Sequence, residues 1–315
     1  MEMLLDDDQS VFAADLQHFY QFLQSEKQFS PHTVKAYRRD IKRFMGFCDS
    51  QSVASWDDID EQHIRQFVSQ VHRQGLGGKS IQRLLSALRR LFRYLQTNRH
   101  MRNNPAAHVR APRSEHKLPD VMHHQQIDQL LLTNSEEPLV VRDHAILELL
   151  YGCGLRLAEL ISLNLGDIHW QSSYLAVVGK GRKERHCPFG KQATKMLKNW
   201  VKCRELLVKS GESAVFINNR GVRLSATGIR ARIRKLSLEK GIAQRVYPHL
   251  MRHSFASHML EASQDLRAVQ ELLGHAHLKT TQIYTHLDFQ QLAKTYDAAH
   301  PRAHKAADKF AQKKK

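Results

Sequence analysis

Along the first ~100 residues the apolar positions recur at intervals of three and four, the period of helices with one buried face. Phe12, Leu16, Phe19, Tyr20 and Leu23 mark the first such face. Ser30-Pro31 reads as an N-cap followed by proline at the first helical position. The helix beyond it places Val34, Tyr37, Ile41, Phe44 and Met45 on one side, with Lys35, Arg38, Arg39, Lys42 and Arg43 on or beside the other. A third helix is predicted over about Gln62 to Val71, broken by Gly75-Leu76-Gly77-Gly78. The fourth, over about Lys79 to Gln96, has the sharpest stripe: Ile81, Leu84, Leu85, Leu88, Leu91, Phe92 and Leu95. Lys79, Arg83, Arg89, Arg90 and Arg93 occupy the rest of its surface.

The period fails between Asn98 and Pro119, where Pro105, Pro112 and Pro119 interrupt a polar stretch rich in arginine, and this segment reads as a basic linker. A second, mixed domain follows. Helices are predicted near Gln125–Leu132, Leu139–Gly152, Leu157–Leu163, Gln192–Lys209, Ala226–Lys240, Pro248–Glu261, Leu266–Leu272 and Thr280–Thr285. Between them, Ser173 to Val178 and Glu184 to Pro188 read as two strands joined by the turn Gly179-Lys180-Gly181-Arg182-Lys183. The predicted fold is mainly α with a small β-hairpin or sheet in an α+β second domain. Its divisions are a lead-in over 1–10, a helical domain over 11–98, the linker over 99–119, the mixed domain over 120–300 and a basic tail over 301–315.

Charge narrows the partner. The 48 lysines and arginines against 31 acidic residues leave a formal charge of +17, which favours a polyanion. No apolar run approaches the ~20 residues that span a bilayer. The acidic start Met1-Glu2-Met3-Leu4-Leu5-Asp6-Asp7-Asp8 does not read as a secretory signal, so a cytoplasmic, nucleoid-associated protein is expected. Cys48, Cys153, Cys187 and Cys203 form no C-x-x-C pair and read as small buried residues of a reduced compartment. The 20 histidines, among them His123, His124, His275 and His277, lack the spaced pairs of a zinc site, so no metal and no cofactor is expected. A charged helix face is ordinarily only solvated. Two neighbouring cationic helices in a chain this basic instead point to a surface that tracks phosphates. Its candidate contacts are Lys35, Arg38, Arg39, Arg43, Lys79, Arg83 and Arg90, with the cationic linker passing along DNA as the two domains clamp it. Arg182 and Lys183 at the turn, and Arg185 on the strand after it, read as further phosphate contacts.

Six residues carry candidate chemistry: Arg156, Lys180, His249, Arg252, His275 and Tyr284. Attack on a phosphodiester gathers negative charge on its non-bridging oxygens, and fixed cations must neutralise it when no metal does. Arginine suits that task because its planar fork stays protonated and donates two parallel hydrogen bonds. Arg156 follows Gly152-Cys153-Gly154, a run flexible enough to bring a helix start close to phosphate. Lys180, between two glycines, can protonate a leaving 5′ oxygen. His249 and Arg252 lie three positions apart and share a helical face, and His275 follows Gly274. Tyr284 would be the nucleophile, forming a 3′-phosphotyrosine that a 5′ hydroxyl later reverses without ATP. Each residue alone reads more simply as a surface charge or core aromatic; the set and its order carry the reading.

These residues resemble the tyrosine recombinase, or phage-integrase, family, and the Xer branch in particular. The specific runs are Gly179-Lys180-Gly181 with Lys183-Glu184-Arg185, Leu272-Leu273-Gly274-His275, Thr280-Thr281-Gln282-Ile283-Tyr284-Thr285-His286 and Tyr296-Asp297-Ala298-Ala299-His300-Pro301-Arg302. The resemblance covers nearly the whole chain. It implies a SAM-like core-binding domain at the N-terminus, a catalytic domain after it, and catalytic roles for the six residues. It also implies a double-stranded dif-like DNA site, an XerD-like recombinase in a heterotetramer, an FtsK-like translocase, and resolution of chromosome dimers during segregation. Leu250-Met251 and Ala158 depart from the usual motifs without replacing a catalytic group. Rival readings are a type IB topoisomerase, an integron, transposon or phage integrase, and an architectural DNA-binding protein without catalysis. The architectural reading predicts no dependence on Tyr284.

Overall fold

The computed structural model describes residues 12–27, 29–112, 120–179, 184–273, 296 and 298–300. The chain divides into two compact units between Lys117 and Leu118.

The N-terminal unit is four helices, α1 (Ala13–Ser25), α2 (Pro31–Ser50), α3 (Glu61–Arg73) and α4 (Gly78–Arg99). Local chemistry sets their starts. The Ser30 hydroxyl accepts from the Thr33 amide at 3.2 Å, with Pro31 at the first helical position, and Asp60 accepts from the His63 amide at 2.9 Å. Phe44 lies at the centre of the core, its ring 5.1 Å from that of Phe67 and 6.1 Å from that of Phe92, and all three are fully buried. Buried carboxylates tie the helices together. Asp40 on α2 receives both arms of Arg83 on α4, at 2.8 and 3.0 Å. Asp15 on α1 accepts from the Trp56 indole at 3.0 Å and from Arg99 at 2.7 Å.

The stretch predicted as a basic linker is in part folded. Met101, Ala106 and Val109 are buried in the N-terminal unit's core. Arg89 donates to the carbonyls of Ala106 at 3.0 Å and Val109 at 2.6 Å, while Asn104 donates to the Arg89 carbonyl at 3.0 Å. Prolines stop a helix here, but two carbonyls of the segment find a guanidinium on α4, and its few apolar residues pack into the core.

The second unit is built around α6 (Pro138–Gly152). Every residue from Val141 to Gly152 is buried, as expected of a helix packed on all sides rather than along one stripe. It packs against α7 (Leu157–Ser162), α8 (Lys191–Glu205), α9 (Ala226–Glu239) and α10 (Pro248–Ser263), with α5 (His124–Leu131) also against it and α11 (Leu266–Leu273) on α10. Two charges on α6, Arg142 and Asp143, are paired. Asp143 takes Arg142 of α6 at 2.6 Å and Arg232 of α9, and Arg142 reaches the Ile217 carbonyl at 2.9 Å. The predicted hairpin is present as β2 (Tyr174–Val178) and β3 (Glu184–Pro188), with Val177 opposite Arg185 and Leu175 opposite Cys187. A two-residue strand, β1 (Ile168–His169), adds an antiparallel edge too short to show a period. Cys48, Cys153 and Cys187 are buried and Cys203 half-buried, all free thiols. Among the described residues no helix is long and apolar enough to cross a membrane. The helix predicted over Thr280–Thr285 lies outside the described residues.

Candidate active site

The site begins where α6 ends. Gly154 has φ +58°, and a Cβ there would lie 2.4 Å from the Phe255 ring and 3.1 Å from Leu273. Only glycine tolerates both the backbone conformation and the close approach of α10. The turn it permits delivers Arg156 as the N-cap of α7, half-exposed.

Arg252 arrives from α10, with 6% of its surface exposed. Its guanidinium donates to the carbonyl of Gly154 and, at 2.7 Å, to that of Leu273. Those two bonds fix the fork against the same turn that presents Arg156. Burial, and then the charge of Arg156, lower its pKa to about 10, so it remains a cation at neutral pH.

Between the two arginines lies a carboxylate that the sequence reading did not single out. Glu159, in the first turn of α7, accepts from the Arg156 amide and side chain, both at 2.8 Å, and its Oε2 is 4.0 Å from Arg252. A signal was available, because a glutamate three residues after a helix N-cap is the reciprocal half of a capping box. Arg185 on β3 closes the cluster, donating to both oxygens of Glu159 at 2.6 and 2.8 Å. Burial by itself would raise the Glu159 pKa; hydrogen bonds and charge from Arg185, followed by those from Arg156, outweigh it and hold the carboxyl below its ordinary value. The expectation that Arg185 contacts phosphate is thereby corrected. It is buried and turned inward, since its strand position opposite Val177 faces the core. Cys153 and Cys187 are buried nearby, where burial pushes both thiols up, Cys187 to about 11.

His249 and Arg252 do share α10, yet they do different things there: His249, beside Pro248 in the first turn, is exposed, and Arg252 is buried. Lys180, His275 and Tyr284 lie outside the described residues, as do Arg182 and Lys183. Of the cationic candidates on the N-terminal unit, Lys35, Arg38, Arg39, Arg43 and Lys79 are exposed. Arg38 lies over the Tyr20 ring at 4.7 Å and Arg90 over the Phe29 ring at 4.6 Å. Arg83 is bound to Asp40. No group of three or more His, Cys, Asp or Glu side chains suited to a metal occurs among the described residues.

The architecture and sequence can be placed among known proteins. Residues 120–291 match the model of the phage integrase family, and residues 16–98 match the phage integrase N-terminal SAM-like domain. The tyrosine recombinase XerC of Alcanivorax borkumensis is 48% identical over 307 residues, covering 96% of this chain and 99% of that protein. The tyrosine recombinase XerC of a Pseudomonas fluorescens strain is 48% identical over 282 residues, covering 89% and 94%. In fold, the chain is similar to the XerH site-specific recombinase bound to its palindromic difH substrate, with a TM-score of 0.68, 23% identity, and 93% and 91% of the two chains covered. It is also similar to a lambda integrase dimer bound to a COC′ core site, with a TM-score of 0.65, 20% identity, and 86% and 99% covered.

Proposed function

We propose, from the premise that this chain belongs to the phage integrase family of tyrosine recombinases, that Arg156, Lys180, His249, Arg252, His275 and Tyr284 form its catalytic set. The chain is an XerC-like site-specific recombinase, an enzyme that transfers DNA strands. Its substrate is double-stranded DNA. The observation that carries the assignment of roles is the convergence of Arg156 and Arg252, from different helices, on the two sides of Glu159. Two guanidiniums fixed in this way stabilise the charge that develops on a phosphate oxygen without reorganising during the reaction.

Tyr284 attacks the scissile phosphorus, its phenolic proton leaves to a base at the site, and the bond to the 5′ oxygen breaks. Lys180 supplies the proton that the 5′ oxygen takes up. His249 and His275 hydrogen-bond the phosphate oxygens. The product is a 3′-phosphotyrosine with a free 5′ hydroxyl. Attack by a 5′ hydroxyl of another strand on that linkage restores the phosphodiester and releases Tyr284, so the energy of the broken bond is conserved. At the cellular level the protein works on a dif-like site in a heterotetramer with an XerD-like recombinase, under control of an FtsK-like translocase, resolving chromosome dimers on the nucleoid in the cytoplasm. Similarity to XerC relatives across almost their full length supports this finer reading.

The test is a nicked suicide duplex carrying a dif-like core, incubated in EDTA without nucleotide, with and without an XerD-like partner. Wild type gives a denaturation-resistant protein–DNA adduct; Tyr284→Phe gives none while binding the duplex with unchanged affinity. An adduct that persists in the Phe variant removes Tyr284 as nucleophile.

A further inference from the structure

Resting on that reading of the site, the geometry points to Arg185 as a positioning residue: it grips both oxygens of Glu159 and so fixes the carboxylate against which Arg156 and Arg252 are placed for the phosphate. Three observations lead there. Arg185 is 7% exposed, so it lies beneath the site rather than on a surface a duplex touches. Its two terminal nitrogens meet the two Glu159 oxygens at 2.6 and 2.8 Å, the fork-on-fork geometry that fixes a carboxylate plane. Its Nε is buried with no hydrogen-bond partner. An unsatisfied buried donor is unfavourable, and a buried ion pair is weak evidence for stability, so what the guanidinium contributes is the orientation of Glu159.

The consequence follows from the number of partners. Glu159 has two oxygens to share among Arg156, Arg185 and, at 4.0 Å, Arg252. Without Arg185 the carboxylate is free to turn, carrying with it Arg156, which is bonded to it at 2.8 Å, and able to draw in Arg252, now 4.0 Å away. Both guanidiniums are then misplaced for the phosphate. Arg185 also sits on β3, the strand entered from the connection that contains Lys180, so the same contact ties that hairpin to α7. The placement of the two arginines and the seating of β3 are coupled through one carboxylate.

The experiment measures the single-turnover rate of adduct formation on the nicked duplex at saturating protein, alongside duplex affinity, its salt slope and thermal unfolding. Arg185→Met is expected to slow cleavage by about 100-fold, the scale of a small misplacement of reacting groups, with affinity and salt slope unchanged. Arg185→Lys, which keeps the charge and guards against misfolding but loses the fork, is expected to fall by about tenfold. Arg156→Ala should cost less in the Arg185→Met background than in wild type, because the two act through one carboxylate. Cleavage at the wild-type rate in Arg185→Lys overturns the positioning role. A weakened affinity with a shallower salt slope also overturns it, and makes Arg185 a phosphate contact. No adduct from wild type would instead remove the recombinase reading beneath it.

Discussion

Gly154 is the position where one methyl group decides the most. Its positive φ and the 2.4 Å approach of the Phe255 ring leave no room for a Cβ, and its carbonyl anchors Arg252. Gly154→Ala is expected to destabilise the protein by about 2–3 kcal/mol, from backbone strain and overpacking together. A lower midpoint in chemical denaturation checks it, and an unchanged midpoint would mean the turn relaxes. His258 makes a second residue-scale prediction. Burial, and then the neighbouring His124, lower its pKa to about 4; its Nδ1 meets the Tyr151 hydroxyl at 2.9 Å and its ring stacks on His124 at 3.8 Å. The native state therefore keeps this imidazole neutral where the unfolded chain, near its ordinary ~6.5, takes up a proton. Stability is fully present above about pH 6.5 and falls as pH drops toward 4. His144, lowered to about 4 chiefly by burial, acts in the same direction. Unfolding midpoints measured from pH 7 to 4 should decline over that window, and less so in His258→Gln.

At the scale of elements, the N-terminal helices are held in register by carboxylates as well as by the aromatic core. Asp40 is 1% exposed and its partner Arg83 can turn to water, so Asp40→Ala should cost about 2 kcal/mol, the order of a lost charged hydrogen-bond pair. Thermal unfolding checks this; a change within a few tenths would show that α2 and α4 are held by the core alone. The helices were legible because each shows its own period: the stripe from Ile81 to Leu95 marks α4, and Ser30-Pro31 marks the start of α2. β1 was not legible, because two residues carry no alternation and the strand exists only through its pairing with β2. The packing of Met101, Ala106 and Val109 was also hidden, since nothing local reveals that Arg89 would bind the carbonyls beside them.

For the whole molecule, the formal charge of +17 predicts a binding free energy dominated by released counterions. Log affinity for duplex DNA should fall linearly with log salt, with a slope of about −0.9 per phosphate neutralised. Filter binding or fluorescence anisotropy between low and physiological salt measures it, and a flat line would contradict a phosphate-tracking surface. Arg83, already matched by Asp40, should contribute least to that slope, whereas exposed Lys35, Arg39, Arg43 and Lys79 should each lower it when removed. The sequence by itself determined the helices of the N-terminal unit, the basic character and the order of arginine, lysine, histidine and tyrosine. All of these are written in local period, composition or spacing. Only the tertiary structure decided which cations are engaged by carboxylates. Arg83 and Arg185 read as phosphate contacts along the chain and are in fact bound to Asp40 and Glu159. Whether a charge meets water, a phosphate or a buried carboxylate depends on neighbours distant in sequence, and the local pattern does not record them.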